Sequence, residues 1–124
     1  MKIPGQYLPV MPYLIINNAR DFVDFTRVVF GATEQLIVPT DDDKIMHGEI
    51  RIHEAVIMFG DAGDNWKVKT AAMYIYVSDV NSVYSKALKQ HAASLQAPEQ
   101  KDYGYTAAFG DPFGNQWFIV EAEK

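Results

Sequence analysis

Three side chains that can carry charge or move a proton recur at every second position in His47-Gly48-Glu49-Ile50-Arg51. In an extended strand this spacing puts imidazole, carboxylate and guanidinium on one face. Imidazole titrates near neutrality and a neighbouring carboxylate raises its pKa, so His47 and Glu49 are candidates for holding a ligand or shuttling a proton. That role requires the face to point into a cavity. Pointing outward, the same residues are strand surface or structural hydrogen-bonding groups, and this second role is the expectation. Other chemistries lack their signatures. The chain has no cysteine, hence no disulfide and no thiolate ligand. Its serines sit in no Gly-x-Ser-x-Gly elbow, and no glycine-rich phosphate loop is present. Asp41-Asp42-Asp43-Lys44 lacks the spacing of a calcium loop and reads as a solvated turn.

The elements that must position these residues come as a repeat. Met11 to Asn18 and Ala72 to Asp79 align at a constant offset, which then places Phe22 on Val83 and Gly31 on Ala92. Each copy begins as an alternating apolar run, a polar cap and a segment of helical spacing. Asn18 and Asp79 are the expected helix N-caps, and Gly31 the stop of the first helix. The second helix is expected to bury a stripe of Val80, Val83, Tyr84, Ala87, Leu88 and His91, with His91 in its last turn. His53-Glu54 falls near the turn of a hairpin from Met46 to Phe59. A loop around Pro98 to Asp102 precedes a strand through Tyr105 to Phe109. Asp111 to Asn115 then makes a tight turn, with Asp111 bonding the backbone of the next few residues.

The unit is therefore βαβββ, present twice, about 8–60 and 70–122, within a single domain and joined by a linker near 61–69. The formal charge of -5 with scattered lysines argues against nucleic acid as partner. No apolar run approaches membrane-spanning length and no secretory leader pattern opens the chain, so a cytoplasmic location is the default expectation.

Paired βαβββ modules, the stretch Asp24 to Ala32, and Asp111-Pro112-Phe113-Gly114-Asn115-Gln116-Trp117 together resemble the vicinal oxygen chelate superfamily. That superfamily includes glyoxalase I, bleomycin and fosfomycin resistance proteins and extradiol dioxygenases. His47-Gly48-Glu49-Ile50-Arg51-Ile52 is similar to its PhnB-like, glyoxalase-related branch. Thr26 and Gly110 depart from the pattern, standing where an aromatic residue and an Arg are common. The resemblance implies an α+β fold, two modules paired into a curved mixed sheet forming a half-barrel cleft with helices on the outer face. It also implies a homodimer of C2 symmetry. The superfamily's enzymes hold a divalent metal through His, Gln or Glu on the first and last strands of each module. Here those positions fall on Met11, Ala72, Met58 and Phe118, none of which offers a ligand atom to such a cation.

The implied cleft is instead apolar and aromatic. Strand alternation gives its lining as Met11, Tyr13, Met58, Ala72, Tyr74, Tyr76 and Phe118, with Ile15, Val56 and Val120 on the same faces. Tyr105, with Tyr103 and Trp66, is expected near the mouth. Such a surface suits a flat or amphipathic organic molecule, or else fills space between sheets or forms a dimer contact. The reading is a metal-free, cofactor-free binder of a small, partly aromatic compound. The alternative is an enzyme of lyase, isomerase or dioxygenase type, acting through metal ligands displaced from these positions or through His47 and Glu49 without metal.

Overall fold

The chain, described from residue 1 to 124 by a computed structural model, runs β1 (Tyr13–Ile16), α1 (Ala19–Phe30), β2 (Thr33–Pro39), β3 (Ile45–Ile52) and β4 (Ala55–Asp61). It then repeats the plan as β5 (Ala72–Val77), α2 (Val80–Lys89), β6 (Ala93–Lys101), β7 (Gly104–Gly110) and β8 (Gln116–Glu121). The strands form two four-stranded mixed sheets, ordered β1-β4-β3-β2 and β5-β8-β7-β6. In each, the first strand runs parallel to the last and the other pairs are antiparallel. The fold is therefore α+β with two βαβββ modules. Two compact units result, Met1–Arg27 with Gly31–Lys69, and Val28–Phe30 with Thr70–Lys124. No helix is long and apolar enough to cross a membrane.

In the first unit, alternation decides which face is core. Leu14, Ile16, Ile50, Ile52, Ile57 and Phe59 are buried on the side where α1 lies, with the Phe22 and Phe59 rings 5.1 Å apart and edge to face. Tyr13, Ile15, His47, Glu49, Arg51 and Met58 take the opposite face, with Tyr13 beside Met58 and Met58 beside Glu49. Two register shifts modify this pattern. The pairings Glu34↔Ile50 and Leu36↔Glu49 leave Gln35 as an extra residue in β2, and Val38↔His47 with Pro39↔Ile45 leaves Met46 extra in β3. An inserted residue reverses the phase of the strand beyond it. Ile45 thereby joins the core while Met46 is exposed.

The helix caps show a shared device and one correction. Asp79 caps α2 as expected, its carboxylate accepting from the Ser82 N–H at 3.0 Å. Asn18 does not cap α1 with its side chain: its backbone is left-handed (φ 61°, ψ 51°) rather than in the extended conformation of a capping residue. The acceptor comes from the far end of the module, where Asp61 of β4 takes the Ala19 N–H at 3.0 Å and the Ile45 N–H at 2.8 Å. Glu121 of β8 does the same for the Val80 N–H at 3.0 Å. An acid at the end of each last strand thus accepts from the N-terminal turn of the module's own helix, where free N–H groups and the helix dipole favour negative charge. Gly31 ends α1 with φ 72°, a conformation that residues with a Cβ rarely adopt.

The second unit buries Trp117, Ile119, Phe109 and Val77, and the Phe30 ring lies 4.5 Å from that of Trp117. Helix α2 lies against β7, β6 and β8. Its buried stripe is narrower than the spacing predicts: Val80 and Ala87 are buried, Leu88 is exposed, and His91 lies beyond the helix end with φ 74°. The expected loop at Pro98 is also corrected. Pro98 lies inside β6, in the irregular step between Gln96 and Glu99 on a sheet edge, where a residue without N–H is tolerated. The turn comes later, at Asp102 and Tyr103. The closing turn is held by Asp111. One carboxylate oxygen accepts from the N–H groups of Phe113 (2.8 Å) and Asn115 (2.9 Å), the other from the Asn115 amide (3.0 Å) and the Trp117 indole (2.8 Å).

Replacing Asp61 with Ala strands two backbone donors and is expected to lower the unfolding free energy by about 1–3 kcal/mol. The measurement is the urea midpoint. Asp61→Asn keeps one acceptor oxygen and should recover part of the loss, whereas an unchanged midpoint in Asp61→Ala would remove Asp61 from its capping role.

Candidate functional site

A buried carboxylate organises the exposed face of the first sheet. Glu49 is only 2% exposed, and each of its carboxylate oxygens has donors. Gln35 donates from Nε2 to Oε1 at 3.0 Å, the Tyr7 hydroxyl lies 3.0 Å from both oxygens, and His47 Nε2 lies 2.7 Å from Oε2. Burial pushes the Glu49 pKa up, but the bonds from Gln35, His47 and Tyr7 outweigh it and hold the group below the ordinary 4.5. The Tyr7 hydroxyl is pushed above its ordinary 10.0, first by its bond to Glu49, then by burial and the same negative charge.

Arg51 sets the orientation of Gln35. Its guanidinium donates from Nε (3.2 Å) and Nη2 (2.8 Å) to Gln35 Oε1, and from Nη2 to the Gln6 carbonyl at 2.7 Å. A guanidinium only donates, so the amide oxygen must face it and the NH2 must face Glu49. The β2 bulge brings Gln35 to this face. Arg51 and Glu49 together pin residues 6 and 7 of the N-terminal segment across the strand.

The network ends at a cavity. An ionised carboxylate only accepts, so His47 donates from Nε2 to Glu49, which leaves Nδ1 of the neutral ring as an acceptor. The Tyr13 hydroxyl lies 3.0 Å from Nδ1 and donates to it. Tyr13 is 49% exposed and, with Ile15, Met46, His47, Gly60, Asp61 and Trp66, lines a pocket of about 520 Å³. Both carboxylate oxygens of Asp61 are engaged with backbone N–H groups. Gly60 is required beside the phenol, because a Cβ there would come within 2.7 Å of the Met46 carbonyl oxygen and 3.7 Å of the Tyr13 hydroxyl.

The expected lining residues divide between the units. Tyr13 lines the pocket, Met58 pairs with it on the same face, and Met11 lies just outside β1, with the neighbouring Pro12 carbonyl accepting from the Met58 N–H at 3.0 Å. In the second unit, Ala72, Tyr74, Tyr76 and Phe118 share one exposed face, with Tyr74 beside Phe118 across β5 and β8. The Tyr74 and Tyr76 rings meet edge to face at 5.8 Å. Burial, with Tyr76 and Tyr103 nearby, pushes the Tyr74 pKa above 10.0. Tyr105 is the exception to this set: its phase turns it to the helix side, where its hydroxyl donates to the Asn81 side chain at 2.8 Å. His47 and Glu49 are brought together as hydrogen-bonded partners. Tyr7, Gln35, Met46 and Gly60 are added by the structure. Tyr7 lies in a segment with no period and the others depend on bulges or close approach, so only the density of polar side chains around Glu49 hinted at them.

The positions at which the resemblance implies metal ligands hold Met11, Ala72, Met58 and Phe118, and no three His, Cys, Asp or Glu side chains come together anywhere in the chain to hold an ion. The residues present do not fit the superfamily's metal.

The duplicated βαβββ module is the layout of a known class. Residues 7–119 match the Glyoxalase/Bleomycin resistance protein/Dioxygenase superfamily, and the chain belongs to it. It is similar to the uncharacterised protein Rv0887c of Mycobacterium tuberculosis, 28% identical over 120 residues, covering 87% of this chain and 71% of that one. Among solved structures, a PhnB protein from Bacillus cereus superposes with a TM-score of 0.76 at 16% identity, covering 93% of this chain and 100% of that one. TnmS3, an antibiotic binding protein from Streptomyces sp. CB03234, superposes with a TM-score of 0.70 at 13% identity, covering 94% and 100%.

Because the folded protein holds Glu49 ionised more readily than an unfolded chain does, its network stabilises fully above the ordinary glutamate pKa of 4.5 and fades as pH falls through the lower folded value. Glu49→Gln is expected to cost about 1–3 kcal/mol at neutral pH and to flatten the acid limb of a stability profile measured by denaturant unfolding. An acid limb as steep as the wild type's would assign that dependence to other groups.

Proposed function

We propose that this protein binds a small, partly aromatic organic molecule, without a metal, in the pocket of its first unit. The carrying observation is the pocket's composition. Ile15, Met46, Gly60 and Trp66 supply apolar or aromatic surface, and the polar lining is Tyr13, His47 and Asp61, whose carboxylate oxygens already accept from the Ala19 and Ile45 N–H groups. Sites for small organic ligands combine such an apolar lining with a few fixed polar groups, and about 520 Å³ lies within their usual range of about 300–1,000 Å³. The exposed Trp66 indole offers a stacking surface, and Met46 adapts to ligand shape. The exposed Tyr74, Tyr76 and Phe118 form the second proposed set of ligand contacts.

Members of the superfamily bind small molecules, and TnmS3 supplies a precedent of fold for antibiotic binding. A second reading, an enzyme acting through His47 and Glu49, is supported by the ordered chain of bonds from Glu49 through His47 to Tyr13. A homodimer belongs to the same proposal, since β2 and β6 are open sheet edges that require covering and carry the exposed Leu36, Val38 and Leu95.

A panel of flat aromatic antibiotics and metabolites, added with a chelator present, tests the binding. A ligand at 100 times its dissociation constant should stabilise the protein by about 2.7 kcal/mol, visible as a rise in the thermal midpoint. Trp66→Ala is expected to remove most of that rise. Stabilisation by divalent metal alone, with none from any organic compound, would overturn the proposal.

A further inference from the structure

Among the pocket's polar side chains, the Tyr13 phenol stands out because it is attached to a proton acceptor that is itself held in one tautomer. The imidazole is sandwiched between two partners, with Tyr13 at Nδ1 and Glu49 at Nε2, at 3.0 and 2.7 Å. Behind Glu49 stand Tyr7 and Gln35, and behind Gln35 stands Arg51, which keeps the carboxylate's partners in place. From β1, β3, β4 and the N-terminal segment, the titratable groups facing His47, its carboxylate partner or the pocket are Tyr13, Glu49, Tyr7 and Asp61, with Arg51 one amide further away; both Asp61 oxygens are taken up by the Ala19 and Ile45 N–H groups.

Resting on the binding reading above, we propose that the pocket takes aromatic or enolic ligands bearing an acidic hydroxyl and binds them as their anions, with Tyr13 relaying the released proton to His47. As the ligand O–H bond breaks, its proton bonds to the Tyr13 oxygen, while the proton already on Tyr13 passes to His47 Nδ1. The products are a ligand anion, a neutral Tyr13 and an imidazolium paired with the Glu49 carboxylate. No electron changes hands and no further reactant is consumed. Tyr13 touches the ligand; His47 receives the proton, and Glu49 and its partners position the ring.

The arrangement explains why a buried carboxylate is kept on a face that otherwise binds apolar groups. Without Glu49 the imidazole could rotate or exchange tautomers, and the proton delivered to it would have no counter-charge. It also predicts selectivity, since a methyl ether of the same ring has no proton to give and binds only through stacking.

Nitrophenols test this directly, because phenol and phenolate absorb at different wavelengths. At a pH about one unit below the free pKa of each nitrophenol, difference absorbance reads the ionised fraction and equilibrium dialysis reads occupancy. The matching nitroanisole serves as the control without an acidic proton. The expected result is a bound phenol whose pKa falls by about one to three units, so that most of it absorbs as phenolate. Tyr13→Phe and His47→Gln should bind the phenol in its neutral form, with thermal unfolding confirming that each variant is folded. Glu49→Gln should show an intermediate ionised fraction. Equal binding of phenol and anisole with no change in absorbance would overturn the relay and leave the binding reading standing. Occupancy by neither compound would overturn both.

Discussion

A carboxylate cannot be buried alone, and Glu49 shows how much structure that rule recruits. Removing an ionised group from water costs several kcal/mol unless hydrogen bonds replace the lost hydration. Here the replacements come from the N-terminal segment, the edge strand and a neighbour on the same strand, through Tyr7, Gln35 and His47. Each replacement constrains something further. Tyr7 ties down a segment without secondary structure, Gln35 requires a bulge and an orienting Arg51, and His47 is left with one free nitrogen aimed at Tyr13. The chemistry available at the pocket derives from that single ionised group.

The two modules share a backbone plan and diverge in what they place on it. Both use an acid at the end of the last strand to accept from the first turn of the helix, through Asp61 and Glu121. Both pair the first strand with the last in parallel. On the sheet face away from the helix, however, the positions paired with Met58 and Phe118 are Glu49 in one module and Ala108 in the other. The first module therefore builds a chain of hydrogen bonds from Glu49 through His47 to Tyr13, while the second leaves Tyr74, Tyr76 and Phe118 as an aromatic surface. The fold supplies the scaffold, and function depends on these side chains.

The periodic parts of the chain are legible in the sequence. Alternation separated Trp117 from Phe118 correctly, Gly31 and Asp79 marked helix ends, and Asp111 read as the anchor of its turn, because each depends on residues within a few positions. The failures have different causes. Asn18 has the right side chain for a cap but a left-handed backbone, its place taken by Asp61 far along the chain, and Pro98 is accommodated by a strand irregularity on a sheet edge. Tyr105 faces the helix side by plain alternation with Phe109.

The sequence by itself determined the duplicated module, the class of fold and the lack of ligand side chains at the expected metal positions. These rest on local spacing and residue type. Only the tertiary structure decided that Glu49 is buried rather than surface, that Tyr7 and Gln35 surround it, and that His47 offers its free nitrogen to Tyr13. Strand alternation fixes a residue's side of the sheet, but burial depends on what crosses over it. In this protein the covering groups lie 42 residues away at Tyr7 and 14 away at Gln35.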